Sequence, residues 1–140
     1  MVYQVDGAIM SVQDVILDTN FLLVPFQYRI DVLSEIERLL DFRVHFIVPT
    51  GVIAELKKIS KVRGSQGMAA KFALKLVDAN QLAHKLSVHH SIGGVDDWIF
   101  HLAHSKGAII CTNDVELKKR AKRIGAKIIS MKSRSKIGVV

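Results

Sequence analysis

With a single cysteine, Cys111, the chain has no intrachain disulfide, and a lone thiol in an aliphatic strand suits a reducing, cytoplasmic setting. Two prolines in 140 residues leave no proline-rich linker. No apolar run approaches the roughly 18 residues that a membrane-spanning helix requires. The N-terminal MVYQVDGAIMSVQD has no cationic segment ahead of its short apolar part and carries Asp6, unlike a secretory leader. Neither GxGxxG nor GxxxxGK[ST] occurs, so dinucleotide and P-loop binding lack their usual signature. No cysteine pair, no HExxH motif and no nucleophile set against a histidine is present. His101 and His104, with Asp97 four residues before His101, are the nearest approach to a zinc grip, and alone they read as surface histidines. The one Trp, two Tyr and six Phe do not interleave with cations as a base-stacking platform would.

What the chain does have is apolar mass and positive charge. Hydrophobic residues make up 49% and the formal charge is +7, from 20 Lys and Arg against 13 Asp and Glu. This is the composition of a folded domain with an anionic partner, nucleic acid before membrane. The cations come in runs: four in residues 57–63 (KKISKVR), five in 118–123 (KKRAKR) and three in 132–136 (KSRSK). No repeat or composition shift divides the chain. We expect one domain over 1–131 and a short, flexible basic tail over 132–140.

Short aliphatic runs at Val15–Leu17, His45–Val48, Ala108–Cys111 and Lys127–Ser130 read as strands, with a further strand within Leu82–Val88. Between them lie helical stretches. Ile30–Leu40 carries its apolar residues at helical spacing, Thr50–Ile59 has Thr50 as candidate N-cap, and Gln66–Ala79 has an inner stripe of Ala69, Phe72, Ala73, Leu76 and Val77. Two more helices open after Gly93-Gly94 and at residue 115. Strands separated by helices predict an α/β fold with a mostly parallel central sheet. Burial of such a sheet on both faces explains continuous runs like VIL, FIV and AII.

In parallel sheets, binding groups gather beyond the carboxyl ends of the strands. Asp18 follows VIL directly, and Asp114 follows AIIC-Thr112-Asn113, so both are expected on that edge. Glu55 lies three residues after Val52 and four before Ile59, which places it on the inner face of its helix. A glutamate there needs a cation or a lysine curling back, Lys58 or Lys61. Asp96 heads the inward stripe of the helix after the glycine pair; Asp97 heads the adjacent face. Ordinary capping accounts for some of these acids: one of the Asp96-Asp97 pair as N-cap, and Asn113 with Glu116 as a capping box. Together, however, they bring carboxylates to one edge of a basic protein, where like charges raise one another's pKa unless a cation neutralises them. An all-oxygen donor set suits Mg²⁺ or Mn²⁺. Such an ion activates water for in-line attack on phosphorus and screens charge on the phosphoryl group and leaving 3′-oxygen. Thr19, Asn20, Thr112 and Asn113 are candidates to orient waters or the scissile phosphate around the acids.

Asp18-Thr19-Asn20, Pro49 with Glu55-Leu56, Asp96-Asp97-Trp98-Ile99 through Ala103, and Thr112-Asn113-Asp114 with Leu117 resemble, in order and interval, the four acidic motifs of the PIN domain. The resemblance covers roughly residues 14–131. It implies a three-layer α/β/α PIN-like fold, endoribonuclease activity with Mg²⁺ or Mn²⁺, and Asp18, Glu55, Asp96 and Asp114 as the metal-holding catalytic acids, with Asp97 as additional or substitute ligand. The Glu55-Leu56-Lys57-Lys58 tract, the Asp96-Asp97 doublet and the lysine-rich segment after Asn113 resemble the pre-ribosomal RNA processing nucleases, above all their stand-alone archaeal relatives. The toxin half of toxin–antitoxin pairs is similar as well, and a non-catalytic RNA-binding assembly factor would keep the same fold. The implied partner is RNA, a ribosomal RNA precursor first, contacted by Lys57, Lys58, Lys61, Arg63, Lys118, Lys119, Arg120, Lys122 and Arg123. Ribosome assembly factors and a second copy of the chain are the candidate protein partners. Phe21–Phe26, expected at the surface, is the candidate dimer contact.

Overall fold

The computed structural model describes residues 2–5, 8–40 and 43–140, with side chains from residue 12 onward; Asp6 lies outside the described residues. Seven strands form one sheet: β1 (Val2–Val5), β2 (Ala8–Leu17), β3 (Arg43–Pro49), β4 (Leu86–His89), β5 (Ile109–Cys111), β6 (Ile128–Ser133) and β7 (Lys136–Val139). Their order is β4-β3-β2-β5-β6-β7, with β1 on β2. Pairings among β2 to β6 are parallel; those of β1 with β2 and of β6 with β7 are antiparallel. Among the described residues, six helices complete the fold: α1 (Thr19–Tyr28), α2 (Val32–Leu39), α3 (Thr50–Ile59), α4 (Ser65–Leu82), α5 (Val95–Lys106) and α6 (Val115–Arg123).

Strand alternation divides the core into two layers. Val15, Leu17, Phe46, Val48, Ile109, Cys111 and Ile129 point to one side, where they pack with residues such as Phe21, Val32, Val52 and Ala69 from α1 to α4. Ile16, Ile47, Ile110 and Ile128 point to the other and meet Ile99 of α5 and Leu117 of α6. The three-layer α/β/α arrangement follows, and every residue of VIL is buried because both faces are covered.

Several expectations are corrected. Residues 21–26 are not a surface dimer contact: Phe21 to Pro25 are buried within α1, a helix apolar on nearly every side, so no helical period shows in its sequence. Nor are residues 132–140 a flexible tail. They complete β6 and turn back as β7, burying Ile137 while the cations point outward. Phe72 is exposed, its ring 6.1 Å from that of Phe26 on α1; Gly67 and Ala70 are buried on the inner side of α4, and a Cβ on Gly67 would meet the Val62 carbonyl oxygen at 1.8 Å. That helix also runs on through Leu82, so β4 begins only at Leu86. Thr50 is the first helical residue of α3, not its cap. Its hydroxyl accepts from the Ser91 backbone N–H at 2.9 Å, while the Ser91 hydroxyl accepts from Gly51 N–H at 2.9 Å.

Candidate metal and RNA site

The sheet places its acids at the carboxyl edge. Asp18 directly follows β2 and caps α1: its Oδ1 accepts from the Phe21 N–H at 2.7 Å. Its other oxygen accepts from the Thr112 hydroxyl, which extends from the end of neighbouring β5. The same hydroxyl oxygen accepts from the Asp114 N–H at 3.0 Å. Thr112, itself fully buried, thus joins the first and last acids through one atom. Asp114 is the N-cap of α6, accepting from Leu117 N–H at 2.8 Å. It takes the capping place expected of Asn113, because Asn113 Oδ1 is engaged by the Ser130 hydroxyl and the Met131 N–H, each at 2.9 Å.

Glu55 is exposed to the cleft, not held on an apolar inner face as its spacing suggested. The helix turns it just past the packed side toward Asp18, and the Thr19 hydroxyl donates to its Oε2 at 2.8 Å. Among the described residues it forms no ion pair with Lys58 or Lys61, so the bland explanation for its position is gone. Asp18, Glu55, Asp96 and Asp114 line one polar cleft of about 190 Å³, with Thr19, Asn20 and Val95.

Asp97 is not brought in. The first turn of α5 directs it toward α6, where it accepts from Arg120 Nη1 at 2.8 Å; the same guanidinium carbon lies 4.6 Å from the Phe100 ring centre. Adjacent positions on a helix diverge by about 100°, so Asp96 and Asp97 cannot both face the cleft. Asn113 is likewise outside the cleft lining, held against β6.

The electrostatics carry the mark of the crowding. Burial pushes the Asp18 carboxyl up from its ordinary 3.8 to about 6, and the charges of Asp96 and Asp114 push in the same direction, against the hydrogen bonds from Thr112 and Phe21 N–H. Asp96 is raised as well, by partial withdrawal from water and then by the negative charges of Asp114 and Glu55. Two raised carboxyls, Asp18 and Asp96, among hard oxygen donors fit a divalent cation, which would relieve that repulsion. Among the described residues no three acids or histidines stand close enough to hold an ion alone. The donors that line the cleft are all oxygens, the chemistry a hard divalent cation takes.

Residues 15–134 match the PIN-like domain family. The chain belongs to it. The chain is 30% identical over 130 residues to ribonuclease VapC9 of Archaeoglobus fulgidus, covering 92% of this chain and 90% of that protein. It is 29% identical over 123 residues to the rRNA-processing protein FCF1 of Saccharomyces cerevisiae, covering 87% of this chain and 61% of that protein. Among solved structures it superimposes on the PIN domain endonuclease Utp24 with a TM-score of 0.72 and 26% identity, covering 90% of each chain.

Among the cations, Lys57, Lys58, Lys61 and Arg63 are exposed on and after α3. On α6, Lys122 and Arg123 are exposed, Lys119 pairs loosely with Glu116 at 3.8 Å, and Arg120 is committed to Asp97. The clamp between Thr50-Gly51 and Ser91, which ties the start of α3 to the approach of α5, was not anticipated. Its only sequence signal is a Thr-Gly pair at a helix start, which capping explains equally well.

Proposed function

We propose that this PIN-like domain is a metal-dependent endoribonuclease acting on ribosomal RNA precursor, with Asp18, Glu55, Asp96 and Asp114 seating Mg²⁺ or Mn²⁺. The observation that carries the reading is the convergence of those four acids on one cleft of a chain with net charge +7. An ion held there supplies an activated water and screens the charge that develops on the phosphoryl group. The chain's own residues do the rest. Asp18 is fixed by the Thr112 hydroxyl and the Phe21 N–H, Glu55 is aimed by Thr19, and exposed lysines on α3 and α6 attract the RNA backbone without selecting sequence. Similarity to the rRNA-processing protein FCF1 supports the precursor as substrate.

A toxin-type ribonuclease is the second reading, favoured by the 30% identity to VapC9. The two separate by substrate. Purified protein with Mn²⁺ is offered labelled small-subunit precursor RNA and, in parallel, transfer RNA. Discrete products from the precursor with transfer RNA intact are expected; cleavage of transfer RNA alone would transfer the assignment to the toxin class. Asp18→Asn and Asp96→Asn should each abolish cleavage with the circular dichroism spectrum unchanged. A spectrum lost in parallel with activity would mean that these acids serve folding.

A further inference from the structure

Beside the acidic cleft lies a second, open groove of about 420 Å³ whose chemistry is the opposite. Its walls come from three separated parts of the chain: Tyr28 at the end of α1, Asn113 and Lys118 at the start of α6, and Ser130, Lys132 and Arg134 from β6 and its turn into β7. Among the described residues no carboxylate lines it. Among the described residues none of its three cations is paired with an acid. Lys118 is positioned by the Ser130 hydroxyl, 3.4 Å from its Nζ, and that hydroxyl in turn donates to Asn113. Tyr28 leaves 40% of its surface open to water, although it is among the largest side chains present.

The groove and the cleft are lined by neighbouring residues of the chain. Asn113 lines the first and Asp114 the second, and consecutive Cα atoms stand about 3.8 Å apart. Lys118 begins one helical turn after Asp114, its N–H bonded to the Asp114 carbonyl at 3.0 Å. We propose that this groove is the seat of a single-stranded RNA segment next to the scissile bond, with Lys118, Lys132 and Arg134 on its phosphates and Tyr28 stacked on one unpaired base. The inference rests on the nuclease reading for its substrate, and it gives the third basic run a function that a solvated tail would lack. A duplex offers phosphates to the cations but no free base face to the tyrosine, which is why the strand must be unpaired at this point.

The test measures binding of a labelled, unstructured oligoribonucleotide, and of the same sequence as a duplex, to the full chain carrying Asp18→Asn so that the RNA survives. On that background Tyr28→Ala should weaken single-strand binding about tenfold or more, with Tyr28→Phe retaining affinity. Lys132→Glu with Arg134→Glu should weaken it further and lower the slope of log affinity against log salt by about 1.4, the value for two phosphate contacts on a single strand. The stem of Lys132 covers Gly138, where an added Cβ would lie 2.8 Å from it, so Arg134→Glu alone guards against disturbance of the hairpin; it should lower the slope by about 0.7. Unchanged affinity and slope in all these variants, while wild-type protein cleaves RNA, would overturn the groove and leave the nuclease reading standing. Loss of binding in the variants with a wild-type protein that never cleaves would do the reverse. Duplex bound as tightly as single strand, with Tyr28→Ala without effect, would overturn the single-stranded seat. A parent that binds neither RNA would overturn both readings.

Discussion

Asp18 is both a structural cap and a group that resists ionising where it stands. With its carboxyl raised from 3.8 to about 6 by burial, the native protein holds a proton there that the unfolded chain releases nearer pH 4. Between those values the native state binds more protons, so stability falls as pH rises through the window and stays lower above it. The shift corresponds to a loss on the order of 3 kcal/mol. In EDTA, Asp18→Asn should therefore melt higher than wild type at pH 7.5, with the difference shrinking toward pH 4. Adding Mn²⁺ should raise only the wild-type melting temperature. A difference independent of pH would show that burial of this charge is not what limits stability. Much of this residue was legible from sequence, since an acid directly after VIL has nowhere to go but the strand end. Its partner Thr112 lies 94 residues away, and the bond between them belongs to the register of β2 beside β5.

Among the helices, α3 and α5 carry one cleft acid each, and their starts are pressed together at Gly51. A Cβ on Gly51 would lie 2.5 Å from Val95 Cγ2 and 3.1 Å from the Ser91 hydroxyl. Val95 is the residue before Asp96, so widening this contact moves Asp96 away from Glu55. Gly51→Ala should lower cleavage about ten- to a hundredfold through that misplacement, with the RNA affinity of the Asp18→Asn form little changed by the same substitution. Full activity in Gly51→Ala would show that Val95 shifts without carrying Asp96. Helix α3 was read from sequence with the bounds it has, because its apolar residues keep a clear period. Helix α1 was not, since FLLVPFQY is apolar almost throughout and contains Pro25. For Asp97, helical spacing points to the face beside Asp96 and only the family resemblance offers it as a ligand; Arg120, which claims it, lies 23 residues on.

Over the whole molecule the two ends of the chain behave differently from its middle in what the sequence discloses. The parallel core strands are recognisable as apolar runs because both faces are covered. The β6–β7 hairpin is masked by KSRSK, whose cations resemble a solvated tail until Ile137 is seen to be buried behind them. The result is a domain with four acids gathered in one cleft and a net charge of +7, a balance that suits the RNA substrate proposed above. Among the described residues no helix is long and apolar enough to cross a membrane.

The central claim is that the four acids make a metal-dependent cutting site, and end analysis of the cleaved RNA tests it most directly. Labelled precursor RNA is incubated with purified protein in Mn²⁺, Mg²⁺ or EDTA, beside Asp18→Asn, and the new termini are identified. Water attacking with the 3′-oxygen leaving predicts 5′-phosphate and 3′-hydroxyl ends, formed only with metal and only by wild type. Cleavage that persists in EDTA or in Asp18→Asn, or that leaves 2′,3′-cyclic phosphates, would contradict it.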